Sequence, residues 1–220
     1  MALNKSQTSL WMKILIIALA IMMALLVLLP GITSMMTPSD TPAGQSTNAS
    51  GTASPTSYEG ISQKFAPQVQ ANEAAVTSNP KDFKILVAQA NAYFDWALTV
   101  RQTQALAAQG LDQPLWKSAV SYYQRALAVN PKVDPAVMTD YAIVLHYSGS
   151  DKAAIAMVDK VLKVQPDFPQ ANLNRGVFAE SSNDTATAVA FYGKYVKLNP
   201  TNDASSLAYA KSRLAALQGK

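Results

Sequence analysis

The chain has no cysteine and a single histidine, His146. The first absence excludes disulfides, thiolate catalysis, lipoprotein-type acylation and cysteine-held zinc or iron–sulfur centres. The second excludes metal sites built on several imidazoles. Like charges are not run together either: 18 Lys and Arg are interspersed with 14 Asp and Glu, for a net charge of +4. A nucleic-acid surface needs clustered cations to release counterions from phosphates, so no nucleic-acid partner is expected. The sequence has no Gly-rich loop of the kind that cradles phosphate, and its carboxylates form no pair suited to acid–base work. Asp140 and Ser148 lie near His146 in sequence. Helix neighbours one or two residues apart do not face one another, which speaks against a nucleophilic triad. Neither catalysis nor a cofactor is expected.

What is present begins with a long apolar run. Ile14 to Leu29 carries no polar or charged side chain, and Leu10, Trp11 and Met12 extend it outward past Lys13, whose ammonium can snorkel. Leu10 to Leu29 is 20 residues, about 30 Å as a helix and therefore the depth of a bilayer core. Pro30 and Gly31 end it. The reading is a transmembrane signal anchor over residues 10–32. Lys5 and Lys13 precede the run and no Lys or Arg follows before Lys64, so the positive-inside rule keeps residues 1–9 in the cytoplasm and exports the remainder. A cleaved signal peptide is the competing interpretation. The apolar core exceeds the usual length of roughly 7–15 residues, and no clear small-x-small site follows it directly, which favours the uncleaved anchor.

Residues 33–57 are a linker rich in Ser, Thr, Pro, Gly and Ala. Such a segment cannot bury enough apolar surface to offset its ordering entropy and is expected to be disordered. Its flexible part would hold its ends about 25 Å apart, with a reach of about 70 Å.

From residue 58 onward an internal period emerges. Three segments end alike, at Asn130-Pro131, Gln165-Pro166 and Asn199-Pro200, and Asn79-Pro80 belongs to the same series. Successive prolines from Pro131 are 35 and 34 residues apart, whereas Pro80 to Pro131 is 51, one period of 34 plus an insertion of 17. Ala119, Ala154 and Ala188 each precede their proline by twelve residues, and Tyr123, Val158 and Tyr192 follow these alanines by four. Small residues also recur at Ala90, Ala142 and Gly176. Small side chains let two helices approach closely, larger ones fill the space between hairpins, and proline ends each second helix. Ala204 to Leu217 has the apolar spacing of a terminal helix with Asp203 as its N-cap, and Tyr58 to Ser78 reads as a leading helix. The insertion, between Tyr93 and Ala119, should lengthen the first helix through Ala97 to Gln109 until Gly110 stops it. It is read as a solvent-facing extension, with a partner-contact lobe as the alternative.

This arrangement resembles the tetratricopeptide repeat family, in its membrane-anchored bacterial form, over residues 60–217. Leu86, Ala90, Tyr93, Ala119, Tyr123, Ala126 and Pro131 carry the pattern best. Leu145 and Ala179 depart from it where an aromatic is usual, as do Val161 and Tyr195 where alanine is usual. The resemblance implies an all-α antiparallel helix-hairpin repeat solenoid over residues 58–220, about three repeats plus capping helices, behind the N-terminal transmembrane helix. It also implies a concave groove, lined by the first helix of each hairpin, that binds a protein or peptide. Counting along those helices, the groove candidates are Asn91, Phe94 and Asp95, then Thr139, Ile143, His146 and Tyr147, and last Leu173, Asn174, Val177 and Glu180. Of the basic and amide pattern that grips a C-terminal carboxylate in some members, only Asn91 and Asn174 are suitable here, and Val87, Asp140 and Gln170 replace the rest. Two functions are compatible with this reading. One is a scaffold or assembly factor held at the membrane, with its repeats outside the cytoplasm. The other is a structural accessory subunit whose anchor packs in a larger membrane complex. Oligomeric state is left open.

Overall fold

Proline cannot continue a helix, and the residue before it is pushed toward an extended conformation. The four Asn–Pro and Gln–Pro pairs therefore divide the chain after residue 58 into blocks. The computed structural model describes residues 56–219 except 133 and 202; the second and third complete blocks fold as pairs of helices, and the first as a pair with a one-turn helix between them. The expected cytoplasmic stretch 1–9, the membrane segment 10–32 and nearly all of the linker 33–57 lie outside the described residues. Among those described, no helix is long and apolar enough to cross a membrane.

The helices are α1 (Tyr58–Ser78), α2 (Phe83–Gln102), α3 (Gln104–Ala108), α4 (Gln113–Val129), α5 (Pro135–Tyr147), α6 (Asp151–Val164), α7 (Pro169–Ser181), α8 (Thr185–Leu198) and α9 (Ala204–Gln218). No strand occurs among the described residues. Three hairpins result, α2 with α4, α5 with α6 and α7 with α8, flanked by α1 on α2 and α9 on α8. Neighbouring hairpins meet through α4 and α5 and through α6 and α7, while α5 also touches α7. The fold is the expected all-α hairpin-repeat stack.

Starts and stops follow local chemistry. Ser57, Asp82, Asp134, Asp184 and Asp203 each accept a hydrogen bond from a backbone N–H in the first turn of their helix, satisfying donors with no partner inside it. Asn199 ends α8 in the left-handed region, at φ 46°, a conformation asparagine tolerates better than most residues. Before α7 the Asn172 amide, wholly buried, donates to the carbonyls of Pro166 and Phe168 at 2.9 Å each and so fixes the turn.

The residues in register with the prolines are the core. Ala90, Ala119, Tyr123, Ala142, Ala154, Val158, Ala188 and Tyr192 have no exposed surface. Their positions explain the size pattern. A Cβ added at Gly176 would stand 2.9 Å from Cδ1 and 3.0 Å from Cε1 of Tyr192, so the third hairpin closes this tightly only because residue 176 has no side chain. The first hairpin is tied to α1 by a row of rings. Phe65 stacks near Trp96, Trp96 near Tyr93 and Tyr93 near Tyr122, all within 14° of parallel. Lys64 lies over Phe65, at one end of the row, and Arg125 over Tyr122, at the other. The Tyr122 hydroxyl also donates to Glu73 of α1.

The insertion departs from expectation. α2 stops at Gln102, one turn forms α3, and Gly110, at φ 69°, reverses the chain into α4. The continuous extension fails because the segment folds back. Asp112, 1% exposed, accepts from Arg101 Nη1 at 3.1 Å and from Trp116 Nε1 at 2.9 Å. Leu106 and Leu111 pack on the main core. Gln113 Nε2 reaches the Tyr147 carbonyl at 3.2 Å, joining the insertion to the second hairpin.

Two substitutions test this packing. Gly176→Ala should lower stability by about 1–3 kcal/mol through overpacking, even though alanine is the better helix former. Tyr192→Val, destabilising alone because it empties a buried site, should cost less in the Gly176→Ala chain than in the parent, as read from a double-mutant cycle of unfolding free energies. Stability equal to the parent in the single variant would mean the ring yields. Asp112→Ala should lose about 1–3 kcal/mol, because it leaves the buried Trp116 N–H without an acceptor.

Candidate functional site

The first helices α2, α5 and α7 present the residues that the repeat spacing assigns to a groove. The structure gives these residues different environments. Thr139 is the clearest correction: it is 1% exposed, and its hydroxyl donates to the Pro135 carbonyl of its own helix at 2.8 Å, so it has no surface to offer a partner. Counting along a helix locates a face to within about one residue, and at 139 the face has already turned inward.

At the α2–α5 end the polar groups converge. Asn91 and Asp95 are exposed, one turn apart on α2. The Tyr123 hydroxyl, arriving from α4, donates to Asn91 Oδ1 at 2.6 Å. Asp140 of α5 completes the group. Burial, then the charges of Asp95 and Asp134, push its carboxyl up to about 6. Burial also raises Asp95, with Lys64 acting against it. The Tyr123 hydroxyl is raised as well, by burial first and then by Asp140 and Asp95. Neither Asp95 nor Asp140 enters an ion pair among the described residues.

The centre is aromatic and half-buried. Tyr147 stacks on the buried Trp116, with ring centroids 5.0 Å apart, and Arg101 lies 4.4 Å over the Tyr147 ring. Phe94 meets Trp116 edge-on at 5.7 Å. Ile143 packs against the same core. His146 is held on three sides: its ring is 5.1 Å from Tyr147 and 4.7 Å from Phe178, and Nδ1 is 2.7 Å from the Asp151 carboxylate. It ties α5 to α6 across their turn and to α7. Ser148 instead donates to the Leu145 carbonyl, and the carboxylate beside His146 is that of Asp151, so His146, Asp140 and Ser148 do not form a relay.

At the other end, Val177 bridges the main core and the C-terminal one, and Leu173 packs on the latter. The Asn174 amide donates to Gln170 in its own helix at 2.8 Å. Glu180 accepts from Tyr192 at 2.8 Å and from Arg213 through two guanidinium nitrogens. Val177, Glu180 and Ser181 of α7, with Tyr209 and Arg213 of α9, surround a pocket of about 350 Å³. Sequence reasoning missed Tyr209 and Arg213, having assigned α9 to capping alone. Their i, i+4 spacing, with Tyr209 among the few large side chains on the polar side of α9, was the available signal. In sequence Asp140 stands out as a departure from a carboxylate grip and as a near neighbour of His146, although an acid at that position also suits a cation.

Residues 169–202 match the model of the tetratricopeptide repeat family. No curated protein matches the chain in sequence. Among solved structures, a thermophilic TPR protein of Thermus thermophilus superposes with a TM-score of 0.54 at 18% identity, covering 76% of this chain and 84% of the other. A double mutant of MamA reaches 0.47 at 15% identity, over 74% of this chain and 93% of that one. YrrB, a TPR protein with an unusual peptide-binding site, reaches 0.38 at 12% identity, over 69% and 94%. The segment from Pro169 to residue 202 thus matches the tetratricopeptide repeat model, and the hairpin stack that contains it has the fold of the tetratricopeptide repeat proteins.

Proposed function

We propose that this chain is a membrane-tethered protein–protein interaction scaffold or assembly factor, not an enzyme, which holds a partner protein or peptide along the face of α2, α5 and α7. In this reading residues 10–32 are the single membrane span, residues 1–9 lie in the cytoplasm, and residues 33–57 carry the repeat domain on the far side. The apolar run between Lys13 and Pro30 and the charge asymmetry around it support that topology.

The observation that carries the binding reading is the acidic end of the groove. Asp95 and Asp140 sit near one another and neither lies within ion-pair distance of a cation, Lys64 acting on Asp95 only from further off. Asn91 and Tyr123 are beside them. Burying a carboxylate without a counter-charge is unfavourable, and a Lys or Arg supplied by a partner would remove that penalty. The aromatic centre offers apolar contact and the Glu180–Arg213 end offers further polar groups, a combination suited to an extended peptide or a helix. His146 is engaged by packing and by Asp151, in keeping with a structural role.

The unpaired acid should be visible in stability. The Asp140 carboxyl holds its proton more tightly in the folded chain than its ordinary value of 3.8 allows, so the folded state binds more protons and stability falls as pH rises from about 4 to above 6. Asp140→Asn should remove that fall and stabilise the chain by about 1–3 kcal/mol at pH 7.5, as followed by denaturant unfolding at a series of pH values. A fall of the same size in the variant would assign it to another group. Tyr147 and Asn91 both make internal contacts, so exposed Asp95 is the cleaner probe of binding. Asp95→Lys should cut recovery of co-purifying partners from membranes by about tenfold, as expected when a buried charge pair is broken, with the helical circular dichroism unchanged. Undiminished recovery removes this end of the groove from the site. Protease added outside cells whose outer layers have been opened should digest the repeats, whereas complete protection would reverse the topology.

A further inference from the structure

A second concavity lies away from the groove residues. Pro131, Lys132, Pro135 and Met138, at the turn into α5 and in its first turns, face Lys160, Val161, Val164 and Gln165 of the α6 end across a pocket of about 440 Å³. Five of these eight residues are apolar. Val164 is 76% exposed, the most of any large apolar side chain among the described residues, and Val129, at the same turn, is 41% exposed. The fold does not require this exposure, because the α6 face that stacks in the core is Ala154, Val158 and Val161.

The charges around the pocket are unbalanced in a specific way. Lys132 and Lys160 enter no ion pair among the described residues. The neighbouring acids are committed elsewhere. The Asp134 carboxylate accepts from the Ala136 N–H at 2.7 Å as the cap of α5. Asp159 pairs with Arg175 at 2.9 Å, and Asp167 with Lys194 at 3.2 Å. An apolar hollow between two cations that form no ion pair is complementary to an apolar group beside a negative charge.

We propose that this pocket is a second docking site, which takes a peptide segment of a partner presenting an aliphatic side chain next to Asp or Glu. The aliphatic group enters between Met138 and Val164, over the buried Val161 that floors the pocket, and the carboxylate lies between Lys132 and Lys160. A peptide fits better than a lipid surface, because the site is concave and of side-chain size, and a bilayer face cannot enter it. Its residues are distinct from those of the groove, so the site stands whether or not the groove binds a partner.

The test uses the full chain in detergent micelles and fluorescence anisotropy of a labelled peptide of alternating leucine and glutamate. Saturable binding that weakens with salt is expected, with no binding of the leucine–lysine counterpart. Lys132→Glu with Lys160→Glu should weaken binding by about tenfold or more, and so should the separate variant Val164→Asp, each with its helical signal intact. Absence of saturable binding, equal binding of the basic peptide, or undiminished affinity in the charge-reversed chain overturns the proposal. Binding to nanodiscs containing phosphatidylglycerol that charge reversal abolishes, without peptide binding, overturns it in favour of a lipid headgroup.

Discussion

A two-helix hairpin can cover only part of its apolar surface with its own partner helix, and the remainder must be covered by the next hairpin. The domain depends on that constraint. It demands that paired helices come close, which puts the buried, narrow Ala90, Ala142 and Gly176 on the first helices, and that a larger group fill each gap, which places Tyr123, Val158 and Tyr192 in the interior. The ends of the stack are the exception, and the chain covers them with α1 and α9.

Where the covering is strict, the amino-acid pattern is easy to read. Prolines at intervals of 34 and 35 mark the helix ends because their chemistry is local. Asp203 is legible as a cap for the same reason. The insertion was harder. The stretch from Ala97 to Gln109 has the composition of a helix, and nothing nearby in sequence announces that Arg101 will close on Asp112 and that Trp116 will share the same carboxylate. These contacts depend on the chain folding back, which tertiary structure decides over propensity.

The groove shows the same division at finer scale. Helical counting names Asn91, Asp95 and Glu180 as groove candidates, but it does not separate Thr139, which is buried, from Asp140, one residue later and near the charge of Asp95. His146, a groove candidate by the same counting, is half-buried, and its contacts with the Asp151 carboxylate and Phe178 link α5 to α6 and to α7 of the neighbouring hairpin. Tyr209 and Arg213 come from a different element and meet Glu180 only in three dimensions. A surface assembled from one residue per turn of several helices is recorded in the sequence as scattered single positions.

Hydrogen exchange along the full chain, read by mass spectrometry, tests the stacking most directly. If each hairpin is stable only through its neighbours, the amides of α4 to α7 should be the slowest to exchange, with α1 and α9 faster and the Asn–Pro turns fastest. Uniformly rapid exchange after residue 58, or slow exchange confined to one hairpin while its neighbours open freely, would contradict the account.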